Sequence, residues 1–139
     1  MARTVKKQKQ PQQKCVSNPF AWVEVPVTNM DRAKTFYGKL FGYKFQMQEM
    51  YGYQLAMFPM TMESNGAGGA LVCGPSYTPS YDGAVVYFAV DNIRATLKKA
   101  TSIGGRIIQD KKSIGQYGFI AYFEDSEGNR MALHQRPDQ

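Results

Sequence analysis

Apolar and polar side chains alternate from position 22 to 27, with Val23, Val25 and Val27 on one face and Trp22 and Glu24 on the other. Period two is the mark of a half-buried strand. The period then lengthens. Ala33, Phe36, Tyr37, Leu40 and Phe41 recur at helical spacing and form one apolar stripe. Thr28, three residues before Asp31, predicts a capping box at the helix start, with the acid at the positive end of the helix dipole. Gly42 predicts a left-handed stop. Alternation resumes over 43–48 and 53–58, separated by a turn at Gly52, and a turn-rich cluster at 64–69 precedes a short strand at 70–73. That cluster is no phosphate loop, because no Gly-Lys-Ser/Thr follows it.

The same order then returns. Residues 85–90 alternate, Asp91 takes the expected cap position, and Ile93, Leu97, Ala100 and Ile103 form a second stripe ended by Gly104 and Gly105. One offset of 63 positions carries Trp22 onto Val85, Val27 onto Val90, Leu40 onto Ile103 and Gly42 onto Gly105. Caps, stripe and stop all agree, which predicts an internal duplication. Strands at 106–109, 117–124 and 130–135 complete the second copy, with the DKKSIG segment a loop and residues 125–129 a hairpin turn. That turn lacks the spaced acids and distal Glu of a calcium loop. Each copy is then one strand, one helix and three strands, an α+β arrangement. The expected layout is a module at 18–73, a linker rich in Pro and Gly at 74–83, and a module at 84–135 within a domain of 18–139.

Composition changes this picture only at the amino-terminal end. The net charge is +6, but five of the 17 basic residues lie in the first 17 positions, which hold no acid. The rest sets 12 basic against 11 acidic residues and is nearly neutral. Residues 1–17 therefore read as a disordered basic arm attached to a domain with no specific affinity for nucleic acid. No apolar run is long enough for a membrane span, and the first residues are polar where a signal peptide is apolar. Cys15 and Cys73 are too few and too scattered for a disulfide framework or a zinc site, so a cytoplasmic protein is expected.

Three segments carry a family likeness: NPFAWVEVPV at 18–27, MDRAKTFYGKLFG at 30–42 and EDSEGNRMALHQ at 124–135. Together with the paired βαβββ pattern they resemble the vicinal oxygen chelate superfamily of glyoxalase I, bleomycin-resistance proteins and extradiol dioxygenases. The resemblance covers residues 18–135 and implies two tandem modules forming a mixed, incompletely closed, barrel-like sheet around a concave cleft. It also implies a divalent metal held by His and Glu on the first and last strands of each module, polarising substrate oxygens. Those positions fall here on Trp22, Val85 and Ala132, with Gly69 the fourth by the same offset. Indole, isopropyl, methyl and hydrogen donate nothing to a cation. No metal and no other cofactor is expected.

The residues expected to line the pocket are Trp22, Glu24, Met57, Val85, Tyr87, Ala132 and His134. Glu24 is the most informative, since a carboxylate on a partly enclosed strand face costs several kcal/mol unless partnered, in the range of about 2–7 for a polar group. Either it binds a ligand's donor or cationic group or serves as a base, or Tyr87 at the equivalent position satisfies it and it supports the fold. His134, the single His, is the other candidate acid–base group. Trp22 is a candidate stacking platform, and Met57 is one of several adaptable side chains in the first copy. These features favour a small-molecule-binding protein, with a sequestering or resistance role as one form of it, that pairs into a homodimer. The alternatives are a lyase or isomerase using Glu24, with or without a metal, and a dimeric adaptor without a ligand. One expectation is directly testable: deleting residues 1–17 leaves the melting temperature unchanged, because a solvated arm contributes no packed surface.

Overall fold

The computed structural model describes residues 19–61 and 66–138. The expected arm at 1–17, Met62 and the start of the 64–69 cluster lie outside the described residues. Module one contains β1 (Trp22–Pro26), α1 (Met30–Phe41), β2 (Gln46–Met50), β3 (Tyr53–Met57) and β4 (Gly68–Cys73). Module two contains β5 (Tyr87–Ala89), α2 (Ile93–Ser102), β6 (Arg106–Ser113), β7 (Phe119–Glu124) and β8 (Arg130–Gln135). The expected barrel-like sheet is built as two four-stranded sheets, ordered β1-β4-β3-β2 and β5-β8-β7-β6. In each, the first strand runs parallel to the last and the other pairs are antiparallel. Among the described residues, no helix is long and apolar enough to cross a membrane.

The internal repeat is visible down to the helix caps. Asn29 caps α1, its side chain accepting from the Arg32 amide at 3.0 Å. Asn92 caps α2 in the same way, accepting from Ala95 at 3.0 Å. Both pairs obey the 63-residue offset. The expected caps Thr28 and Asp91 each stand one residue too early, because Asn at the boundary reaches the free amide of the first turn directly. Gly42 ends α1 with φ 73°, as expected. Beyond α2, Gly105 leaves no room for a side chain: a Cβ there would sit 2.9 Å from the Ala100 carbonyl oxygen and 3.0 Å from that of Glu124.

Strand limits moved where tertiary contacts outweigh alternation. The second strand starts at Gln46, not 43, because Tyr43 and Phe45 join an aromatic cluster with Phe58, whose centroids lie 5.9 and 5.1 Å from theirs. β5 is shorter than 85–90, and β4 begins two residues before 70. β6 continues through the expected DKKSIG loop to Ser113, with register irregularities at Ile107/Gln109 and Gln109/Lys112. Residues 115–117 form one 3-10 turn, so β7 begins at Phe119.

One core serves both modules. Val25, Val27, Phe36, Tyr37, Leu40, Ala56 and Leu71 of the first pack with Ile93, Leu97, Ala121, Phe123, Met131 and Leu133 of the second. The β7–β8 turn fastens this core. Asp125 and Asn129 are buried. The Asp125 carboxylate accepts from the Tyr37 hydroxyl at 2.6 Å, the Glu127 and Asn129 amides at 2.8 and 2.9 Å, and the Asn129 side chain at 3.0 Å. Asn129 also donates to the Pro26 carbonyl oxygen of β1 at 2.8 Å. Glu127, its side chain wholly shielded, accepts from the Thr28 and Asn29 amides at 2.9 and 2.8 Å and pairs with Arg32 at 2.6 Å.

Tyr37→Phe leaves one buried carboxylate oxygen short of a donor and is expected to cost ~1–3 kcal/mol in chemical denaturation. Glu127 predicts the acid limb. Burial pushes its carboxyl up, but bonds from Arg32, Asn29, Thr28 and Ser126 together bring it down from 4.5 to about 2. A carboxyl depressed on folding contributes stability above its unfolded value, lost as pH falls toward the folded one. Glu127→Gln is therefore expected to be less stable by ~2–3 kcal/mol at neutral pH, the gap closing between about pH 4.5 and about 2. Asp125, raised by burial, titrates in the opposite sense and is common to both proteins. A gap that stays constant with pH would show that the charge of Glu127 contributes nothing.

Candidate functional site

The two modules leave a cleft of about 630 Å³ between them. β1 supplies Trp22 and Glu24, residues 80–86 add Ser80, Asp82 and Val85, β5 supplies Tyr87, and the head of β8 supplies Arg130. A smaller recess of about 240 Å³ adjoins it and shares Val23, Val25, Ala67, Val86 and Tyr87. Alternation explains the walls. Val23 and Val25 turn into the core, so Trp22 and Glu24 turn out, and Trp22 stays 40% exposed.

Trp22 is held in place from below and from the side. Its register partner on β4 is Gly68. A Cβ on Gly68 would lie 3.2 Å from the indole and 2.7 Å from the sulfur of Met60, so a side chain there would press on the indole and push the Met60 thioether aside. From the side, the indole N–H donates to Glu24 Oε2 at 3.3 Å. The other oxygen, Oε1, accepts from the hydroxyl of Tyr77, which raises that phenol's pKa, burial adding to the effect. Both Glu24 oxygens are thus engaged by the chain itself. The partner expected for Glu24 was Tyr87; the structure puts Tyr77 of the linker there, because Tyr87 points to its own sheet.

Tyr87 meets Tyr122 instead. Tyr87, Ala132 and Tyr122 stand side by side across β5, β8 and β7. Ala132 is fully buried and contributes only a methyl, so the two phenols close over it with their oxygens 2.7 Å apart. The hydrogen bond to Tyr122, then burial and the neighbouring phenol's charge, raise the Tyr87 pKa against the opposing influence of Arg130. Arg130, two residues before Ala132 on the same face, holds its guanidinium carbon 5.9 Å from the Tyr122 ring centroid. Among the described residues its buried Nε has no hydrogen-bond partner. Glu124, its register neighbour on β7, is already engaged by Tyr81 and by Arg106 at 3.3 Å.

Of the expected pocket residues, Trp22, Glu24, Val85 and Tyr87 therefore converge on one cleft. Met57 stands across Ala70 from Glu24, half-buried and outside the lining. Ala132 lies beneath the tyrosine pair. His134 is elsewhere: its Nε2 is 2.7 Å from the Tyr117 carbonyl oxygen, and it faces a separate hollow with Ala89, Asp91 and residues 135–138. Tyr77, Tyr122 and Arg130 escaped the sequence reading. The one signal for Tyr77 was an aromatic residue inside a turn-rich linker. The positions where the resemblance implies metal ligands carry no donor atom, and the register partners Gly68 and Ala70 add none. Among the described residues, no three His, Cys, Asp or Glu side chains come together. The described side chains at these positions do not fit a metal.

The chain is 33% identical over 119 residues to a glyoxylase-like domain-containing protein of Didymella fabae, covering 83% of this chain and 91% of that one. It superposes on glyoxalase I from Zea mays with a TM-score of 0.65 at 22% identity, covering 89% of this chain but only 48% of the maize enzyme. TnmS3, an antibiotic-binding protein from a Streptomyces species, gives a TM-score of 0.62 at 21% identity, with 86% of this chain and 96% of that one covered. With residues 20–133 also matching the profile of the Glyoxalase/Bleomycin resistance protein/Dioxygenase superfamily, the chain belongs to that superfamily.

Proposed function

We propose that this chain binds a planar, largely apolar organic molecule in the cleft between its modules, without a metal, in the manner of a sequestering or resistance protein. The observation that carries this reading is Trp22. An exposed indole seated on a glycine and tied to a carboxylate keeps a flat apolar face turned to the cleft at no further ordering cost. Glu24 and Tyr77 act as positioning residues for it. Aromatic pairs of this kind contribute about 0.5–1.5 kcal/mol beyond the area they bury. The fold is shared with an antibiotic-binding protein, which fits the same reading. The enzyme alternative has less to stand on, since both Glu24 oxygens are engaged and His134 lies outside the cleft.

The chain has a single Trp, so its indole N–H gives one assignable resonance. Adding 2-naphthamide to the nitrogen-15-labelled protein is expected to move that resonance saturably. Trp22→Ala is expected to weaken binding about tenfold by calorimetry, equivalent to about 1.4 kcal/mol, and Tyr77→Phe severalfold. Saturable shifts that spare Trp22 would refute the cleft as the site.

We also propose a symmetric homodimer, the commonest closed assembly. β2 is a sheet edge with Met47 and Met50 exposed, and Tyr51 beside it is almost fully exposed. Sedimentation is expected to show a dimer at micromolar concentration, with Met50→Lys shifting it to monomer; wild-type monomer alone would refute it.

A further inference from the structure

The β8 side of the cleft is chemically unlike the β1 side. On β1, every polar atom of the Trp22–Glu24–Tyr77 group is matched within the chain. On β8, donors are left over. Two phenols that share one hydrogen bond commit only one of their two hydrogens to each other. Arg130 brings five N–H donors, and among the described residues its buried Nε has no acceptor. Among the described residues Arg130 makes no ion pair, since Glu124 beside it pairs with Arg106. The terminal N–H groups of the guanidinium have no hydrogen bond or ion pair among the described residues, so an acceptor brought by a ligand would meet donors with no partner to displace.

Resting on the cleft-binding reading above, we propose that Arg130, Tyr87 and Tyr122 recognise the anionic oxygens of a planar aromatic carboxylate, whose ring lies toward Trp22. A guanidinium presents paired N–H groups that match a carboxylate, and the bond is charge-assisted on both sides. The spare phenolic hydrogen adds a third donor. Ala132 is what permits the arrangement, because any larger side chain there would part the two phenols. Glu24 lines the cleft on β1. Its charge opposes an anion on that side, which sets the ligand's direction: acid toward β8, ring toward β1.

Two probes of equal shape test this, 2-naphthoate and its neutral isostere 2-naphthamide, by calorimetry on the full chain. The carboxylate is expected to bind at least tenfold more tightly. Arg130→Met, which keeps the apolar stem, should bring the two affinities within twofold, chiefly by weakening the carboxylate. Arg130→Lys, which keeps the charge and guards against a folding defect in the Met variant, should retain a preference of at least threefold. Equal binding of both probes by the wild-type chain would overturn the anion site and leave the cleft reading intact. A preference that survives Arg130→Met would likewise overturn it. Binding of neither probe would defeat the cleft reading and this inference with it.

Discussion

The structure depends on a buried carboxylate in the β7–β8 turn. Asp125 lies in the apolar core, where an unpartnered charge is prohibitively costly. It is tolerated because four donors converge on it, one of them the Tyr37 hydroxyl from the other module. Two residues on, Glu127 takes the free amides before helix α1 and pairs with Arg32. Asn129 reaches the backbone of β1 and accepts from the amide of Ser80 in the linker at 3.1 Å. One five-residue turn thus fixes the helix, first strand and linker of module one relative to module two. The walls of the cleft are the two faces that this turn brings together.

Small residues shape what the clamp positions. Gly68 under Trp22 and Ala132 under the Tyr87–Tyr122 pair sit on the last strands of their modules, the strands on which the superfamily likeness implies metal ligands. Here those strands act by absence of bulk, letting neighbouring aromatic side chains fold over them. The two modules have used the same device for different ends. One presents a tethered indole with its polar atoms matched; the other presents a cation and phenolic hydrogens with capacity to spare.

Much of the fold was legible along the chain because it is written in local periodicities. The β1 alternation, both apolar helical stripes, the Gly42 stop and the 63-residue repeat all depend on residues within a few positions of one another or on comparison of two such stretches. The helix caps were missed by one residue, since Thr or Asp and the following Asn are both competent caps and only the backbone turn chooses between them. The 110–113 extension of β6 was missed because its residues, Asp110, Lys111, Lys112 and Ser113, carry no apolar alternation, and it is pairing of Lys112 and Ser113 with β7 that holds them.

The site divides along the same line. From the sequence alone, Trp22 and Glu24 share the outward face of a strand, Val85 and Tyr87 share that of its repeat, and the positions implied for metal hold no donor atoms. Alternation determines facing, and side-chain chemistry determines what cannot bind an ion. Only the tertiary structure decided who meets whom. Tyr77 reaches Glu24 from 53 residues away, Tyr122 meets Tyr87 across an alanine, and His134 is drawn to the Tyr117 carbonyl and out of the cleft. Those partnerships depend on loop paths and sheet register between distant segments, set by the packing of the whole core rather than by any local pattern.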